Sequence, residues 1–72
     1  MAEEKVTGRV SSLRVETTKD VRYILATMSI NGYFYICDTP ELIYFISQFV
    51  KVGMKVTLHL SNNLITQIDI KV

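Results

Sequence analysis

The sequence predicts a mainly β domain of five strands, with one helix between the third and the fourth strand. Three observations lead to this prediction. Apolar and polar residues alternate along most of the chain, which is the side-chain period of a strand. Residues 42–50 alone have the apolar spacing of a helix. Turn-forming Gly, Pro and Asn residues fall between these segments. With 72 residues, the chain has room for one domain, which we assign to residues 1–72.

The composition is that of a globular protein. Apolar residues make up 49% of the chain, charged residues make up 21%, and the formal net charge is +1. These values exclude a strongly basic or acidic tail. Cys37 is the only cysteine, so no internal disulfide can form, and we expect a reducing compartment. The most apolar segment, residues 42–52, is too short for a bilayer, which needs about 20 apolar residues. We expect a cytoplasmic protein that is soluble and not bound to a membrane, and a complete short chain.

The first strand, residues 5–16, changes its inward face partway along. Its apolar residues occupy one parity before the change and the other parity after it: Val6 and Val10, then Leu13 and Val15. Because side chains alternate with a period of two, a bulge near Ser11 and Ser12 would produce this change. Gly8 offers a second point at which the strand could bend. We expect this long strand to serve two sheets.

The second and third strands, residues 21–30 and 33–38, form a hairpin around Asn31 and Gly32. Two registers compete. A two-residue loop pairs Ile30 with Tyr33 and puts Met28 and Tyr35 on one face. A three-residue loop, residues 30–32, separates apolar from polar residues better, so we prefer it. In that register the core face consists of Ile24, Ala26, Met28, Phe34 and Ile36.

The helix begins near Pro40. Either Asp38 is the N-cap and Glu41 completes a capping box, or Thr39 is the N-cap and Pro40 is the first helical residue. Gly53 is expected to end the helix. The predicted inward stripe consists of Leu42, Phe45, Ile46, Phe49 and Val50.

The fourth and fifth strands, residues 54–60 and 64–72, are joined at Asn62 and Asn63, which tolerate the left-handed conformation of a turn. The predicted inward residues are Met54, Val56, Leu58 and Leu60 in the fourth strand, and Leu64, Ile68, Ile70 and Val72 in the fifth, a face that Thr66 interrupts.

This order of elements resembles the OB-fold, a five-stranded Greek-key barrel. The resemblance covers residues 5–72 and depends on the element order, on Gly8 with the phase change in the first strand, and on the position of the helix. Residues 25–34 resemble the hairpin of members that bind single-stranded nucleic acid. The resemblance implies a five-stranded Greek-key barrel with one helix between strands three and four.

The resemblance also implies a binding face centred on strands two and three. Its outward residues would be Tyr23, Leu25, Thr27, Tyr33, Tyr35 and Cys37. Three tyrosines could stack bases, at about 1–3 kcal/mol per base. The basic residues expected to contact phosphates are Arg9, Arg14, Lys19 and Arg22. We therefore expect binding of single-stranded DNA or RNA with low sequence specificity.

Other interpretations of the same residues remain open. Outward tyrosines also stabilise neighbouring strands and occur at protein interfaces. Five consecutive apolar residues, 42–46, exceed one helical stripe, so Ile43 and Tyr44 are expected to lie outside the barrel. The alternative function is therefore a protein-interaction subunit that forms a homodimer or joins a larger partner.

We expect no enzymatic activity, no cofactor and no metal site. His59 has no second ligand at metal-binding spacing and is expected to be a solvated residue. Capping explains Asp38 and Glu41, and nothing in the sequence near Cys37 would activate its thiol.

Overall fold

The computed structural model describes residues 3–20 and 22–71. In chain order the elements are β1 (Glu4–Thr17), β2 (Tyr23–Ile30), β3 (Tyr33–Cys37), α1 (Pro40–Phe49), β4 (Lys55–Ser61) and β5 (Leu64–Ile70). The strands form a closed barrel in the order β1-β2-β3-β5-β4. The predicted fold class is confirmed: the chain is mainly β, with five strands in a closed barrel and one helix between β3 and β4. Val21 and Val72, predicted to begin and end strands, lie outside the described residues.

The two halves of β1 pair with different strands of one closed barrel, whereas we expected the strand to serve two sheets. Residues 4–9 pair with β4 and residues 10–17 pair with β2, both antiparallel. The register with β2 shifts between Val10 and Ser12, which leaves Ser11 as the extra residue of a bulge. The bulge changes the inward parity, so Val10 is buried before it, while Leu13 and Val15 pack against the core after it.

Gly8 lies where β1 passes closest to the end of β2. A Cβ atom at this position would come within 2.6 Å of Cγ2 of Ile30 and within 3.2 Å of Nδ2 of Asn31. Ile30 is fully buried and its branched side chain has little freedom to move aside. The glycine is therefore required by the close approach of the strands.

The β2–β3 hairpin has the two-residue loop, so the register that we preferred is wrong. Ile30 pairs with Tyr33, and Met28 pairs with Tyr35. Asn31 and Gly32 both have positive φ values, 55° and 83°. Positive φ at both central residues is the requirement of a type I′ turn, whose twist matches that of the strands. The local turn chemistry therefore prevails over the apolar pattern.

This register reverses the two faces of β3. Cys37 is fully buried opposite Ala26, although we expected it to face outward. Phe34 and Ile36, expected in the core, are exposed. Ile24 is exposed as well, because a register shift at the start of β2 changes the parity there.

α1 begins after Thr39, so the second capping alternative describes its start. Thr39 is extended, Pro40 occupies the first turn, and no side chain caps the helix. The helix ends at Phe49, and the prediction that Gly53 ends it was wrong. Gly53 lies in the following turn, with φ +96°, and its N–H donates to the carbonyl oxygen of Val10 at 2.7 Å.

The predicted inward stripe of α1 is confirmed in part, because Ile46 and Val50 are buried and Leu42 and Phe45 pack against the core. Ile43 and Ile46 are fully buried, and Val50 follows them into the core. Phe49 is 57% exposed, although we expected it inside. The spacing of 43, 46 and 50 fits the helical period as well as the predicted stripe does. Since residues 42–46 are all apolar, periodicity alone cannot choose between the two orientations.

β4 and β5 form an antiparallel pair with a second parity change. His59 pairs with Gln67 and Leu60 pairs with Ile65, which leaves Thr66 as an extra residue. Ile65 is consequently buried, whereas Leu64, predicted to face inward, pairs with exposed Ile36 of β3 at the closure of the barrel. In β4 the predicted inward residues Val56, Leu58 and Leu60 are buried, and Met54 precedes the strand half-buried.

Candidate nucleic-acid interface

The outer surface of β1, β2 and β3 is the face that the resemblance implied for binding. Directly paired residues on neighbouring strands share a face of a sheet. One row across this surface joins Arg14, Thr27 and Ile36. The next row joins Ser12, Ser29 and Phe34. We call this surface the outer face and define it by these six residues.

Phe34 is the aromatic residue that the outer face presents to solvent. Its side chain is 70% exposed, and Ile36, two residues along the same strand, is exposed beside it. Phe34 and Ile36 thus place two large apolar side chains next to each other on the solvent side of β3. We did not expect either residue on this face, because the register that we preferred places both in the core.

The three tyrosines do not form the outward set that we expected. Tyr23 and Tyr35 are half-buried and pack against the core. Tyr33 is 68% exposed, but it pairs with Ile30 at the end of the barrel, on the opposite side of β3 from Phe34. The two-residue loop explains this, because it assigns Tyr33 and Tyr35 to the inward parity. Thr27 does lie on the outer face, half-buried, as expected.

Of the four predicted basic residues, Arg14 lies on the outer face. Its Nε atom is 3.7 Å from Oε1 of Glu16, in a pair that is open to solvent. Such exposed pairs contribute about 0–1 kcal/mol, so Arg14 can exchange this partner for a phosphate.

Lys19 and Arg22 are exposed in the loop between β1 and β2. The Thr18 N–H donates to the carbonyl oxygen of Arg22 at 3.0 Å, and the Arg22 N–H donates to Oγ1 of Thr18 at 3.1 Å. These two bonds close the loop that joins β1 to β2, two of the strands that carry the outer face.

Arg9 lies elsewhere. It pairs with Lys55 of β4, and its guanidinium donates to the carbonyl oxygen of Gly53 at 2.9 Å. Lys71 continues this row, since its N–H donates to the carbonyl oxygen of Lys55 at 2.9 Å. Arg9 therefore belongs to a second basic cluster, on the β1–β4–β5 side of the barrel. No motif in the sequence marks Lys55 or Lys71 as members of this cluster.

The helix surface differs in one important residue from the predicted interface. Ile43 has no exposed surface, so the prediction that it lies outside the barrel was wrong. Tyr44 is exposed as predicted, and its ring meets that of Tyr23 edge-on, with centroids 5.5 Å apart. Phe49 and Val52 are exposed further along the chain.

His59 is more constrained than the sequence suggested. Its Nε2 atom is 2.9 Å from Oδ2 of Asp69, and its Nδ1 atom is 3.2 Å from Oε1 of Glu3. The hydrogen bonds to Asp69 and then to Glu3 raise the pKa of His59. The same bond to His59 lowers the pKa of Asp69. The imidazole of His59, on β4, thereby links Glu3, which directly precedes β1, to Asp69 of β5.

Cys37 is buried, and burial raises the pKa of its thiol. A thiol that stays protonated at neutral pH is a weak nucleophile. Within residues 3–20 and 22–71, α1 is too short to cross a membrane, and no other helix is present. Comparison with protein family models, with curated proteins and with solved structures finds no match.

Proposed function

We propose that this chain is an OB-fold module that binds single-stranded nucleic acid on its outer face, with low sequence specificity. The barrel order, the long β1 shared by two neighbours and the helix between β3 and β4 support the OB-fold assignment. The observation that carries the proposed function is the exposed ring of Phe34 on a sheet face that also holds a cation.

In this proposal Phe34 takes the stacking role that we expected of Tyr23, Tyr33 and Tyr35. A base stacked on this ring would also cover Ile36, which lies two residues along on the same face. Stacking needs only the π-face that every base has, and therefore tolerates any sequence. Arg14, in the neighbouring row, is placed to contact a phosphate of the same strand.

The cations near the outer face are few: Arg14, Lys19 and Arg22. Each phosphate neutralised on a single strand contributes about −0.7 to the slope of log K against log salt. Three contacts give a slope of about −2, which is a loss of about 20-fold in affinity between 50 and 200 mM salt. This is shallow for a nucleic-acid-binding protein and agrees with the net charge of +1.

The test is a titration of a labelled single-stranded 12-mer at four salt concentrations, with a duplex of the same sequence beside it. We expect a slope near −2, with tighter binding of the single strand than of the duplex. Arg14→Gln should make the slope shallower by about 0.7, because one phosphate contact is lost. Lys71→Gln, a cation on the other side of the barrel, is the matched control and should leave the slope unchanged. Absence of binding at 50 mM salt rejects the proposal.

The second candidate function is protein interaction through the helix. It is favoured by three exposed apolar residues, which are Tyr44 and Phe49 of α1 and Val52 in the turn after it. Exposed aromatic residues are enriched in protein interfaces. Sedimentation velocity at increasing concentration would reveal a homodimer, and Phe49→Ser should then restore the monomer. A sedimentation coefficient that stays monomeric from micromolar to millimolar concentration excludes the homodimer.

A further inference from the structure

Three serine hydroxyls form a connected cluster on the outer face beside Phe34. Ser29 is nearly buried, with 6% of its surface exposed, and pairs directly with Phe34 on β3. Its Oγ atom is 2.7 Å from Oγ of Ser12 and 3.0 Å from Oγ of Ser11. The bulge in β1 brings both of these exposed side chains to Ser29. We call Ser11, Ser12 and Ser29 the serine cluster.

The hydrogen-bond directions within the serine cluster follow from counting protons. Each hydroxyl has one proton to donate. Oγ of Ser11 lies 3.1 Å from the carbonyl oxygen of Ser29, which can only accept, so Ser11 donates there. With that proton used, all three contacts are hydrogen bonds in one arrangement, in which Ser29 donates to Ser11 and Ser12 donates to Ser29.

All three protons are therefore used inside the cluster. What it offers to solvent is lone pairs: two on Oγ of Ser12, and one on Oγ of Ser11. A surface of acceptors repels a phosphate oxygen, which is also an acceptor, and attracts a neutral hydrogen-bond donor.

From this count, and resting on the proposed function, we infer that the serine cluster receives a hydrogen-bond donor from the nucleotide whose base stacks on Phe34. In a nucleic acid two neutral groups can donate. One is the ribose 2′-hydroxyl, which distinguishes RNA from DNA. The other is the exocyclic amino group of a base. Both present the same chemistry to Ser12, and oligonucleotides separate them.

The experiment measures dissociation constants for four labelled 12-mers, each at low and at high salt concentration. Oligo-rU and oligo-dU differ in the 2′-hydroxyl, and neither base carries an amino group. Oligo-2′-fluoro-U keeps a ribose-like sugar without a 2′ donor, and oligo-dC adds an amino group to the deoxy strand. A 2′-hydroxyl donor predicts that rU binds about fivefold more tightly than dU, the factor of one net hydrogen bond, while 2′-fluoro-U binds like dU. An amino donor predicts a similar preference for dC over dU, with rU equal to dU.

Variants then connect the preference to the serine cluster. Ser12→Ala removes the hydroxyl with two free lone pairs and should reduce the preference to about one. Ser47→Ala is the control, because Ser47 lies on α1 and donates to the carbonyl oxygen of Tyr44 at 2.8 Å, away from the outer face. The preference should also be independent of salt, since the donated group is neutral.

The outcomes separate this inference from the proposed function. If dU binds with the expected salt dependence, but rU, dC and dU bind equally, the serine cluster does not receive a donor, although the proposed function stands. A preference that Ser12→Ala leaves intact overturns the inference in the same way. If none of the four oligonucleotides binds, the inference and the proposed function fail together.

Discussion

Truncation of Phe34 tests the outer face most directly. In Phe34→Ala the stacking platform is removed, and the backbone of β3 is left in place. Stacking of one base on an aromatic side chain contributes about 1–3 kcal/mol to binding. The dissociation constant for single-stranded 12-mers should therefore rise by about 5- to 150-fold.

The same substitution should hardly affect folding. Full burial of a phenylalanine contributes about 1.5–3 kcal/mol, and the side chain of Phe34 is 70% exposed. The free energy of unfolding should then fall by roughly 0.5–1 kcal/mol. This separates Phe34 from Tyr35, which packs against the core, so that Tyr35→Ala would reduce stability and binding together.

The assay is fluorescence anisotropy of a labelled 12-mer, with urea unfolding of each variant followed by circular dichroism. Phe49→Ala is the matched control, because it removes a similarly exposed ring from the helix. Its affinity for the 12-mer should equal that of the unmodified chain. If Phe34→Ala is folded and binds with unchanged affinity, no base stacks on Phe34 and the proposed interface is wrong.

Three further predictions concern the barrel itself. Gly8→Ala should lower the free energy of unfolding by about 1–3 kcal/mol in urea titration, because the new methyl group overlaps buried Ile30; unchanged stability would show that the strands can separate there. Ile43→Asp should unfold the chain rather than dissociate an assembly, since it places a charge in the core; a native circular dichroism spectrum would contradict that location. His59→Gln should lower stability most between about pH 4 and pH 6.5, in urea titrations across pH. Because the folded state raises the pKa of His59, this residue adds stability at pH values below its unfolded pKa of about 6.5, and the added stability is lost as pH rises through the folded pKa. Because the folded state lowers the pKa of Asp69, this residue adds stability at pH values above its unfolded pKa of about 3.9, and that stability is lost as pH falls through the folded pKa. A difference in stability between the two proteins that does not depend on pH would reject this linkage.

The parts of the fold that could be predicted are those in which the local residue preferences agree with the apolar pattern of the whole segment. The bulge in β1 was predictable, because the apolar residues change parity between Val10 and Leu13 and only an extra residue can reconcile them. The helix was predictable as an element because its apolar spacing leaves no strand interpretation. The orientation of the helix on the barrel could not be predicted, because the apolar run at 42–46 is compatible with two inward stripes. Only the packing of the helix against the barrel determines that Ile43 faces inward.

The parity change in β5 could not be predicted for a different reason. Leu64 and Ile65 are adjacent and equally apolar, so either could face inward. The bulge at Thr66 selects Ile65, and it depends on pairing with β4, whose register is a long-range property of the barrel. The row of Arg9, Lys55 and Lys71 could not be predicted for the same reason, because these residues are far apart in the chain and become neighbours only through strand pairing.

The error in our predicted hairpin register and the exposure of Phe34 and Ile36 at the candidate site have the same cause. The apolar pattern favours a core that includes Phe34 and Ile36, whereas the Asn31–Gly32 turn favours the register that exposes them. The chain adopts the register that the turn favours. Phe34 and Ile36 are therefore exposed to water, at positions where the alternation of the strand calls for polar side chains. Natural sequences depart from such local consistency mainly where a surface has another use. The conflict between turn and pattern therefore points to the outer face, and it is visible in the sequence as the choice between burying Phe34 with Ile36 and exposing both side chains.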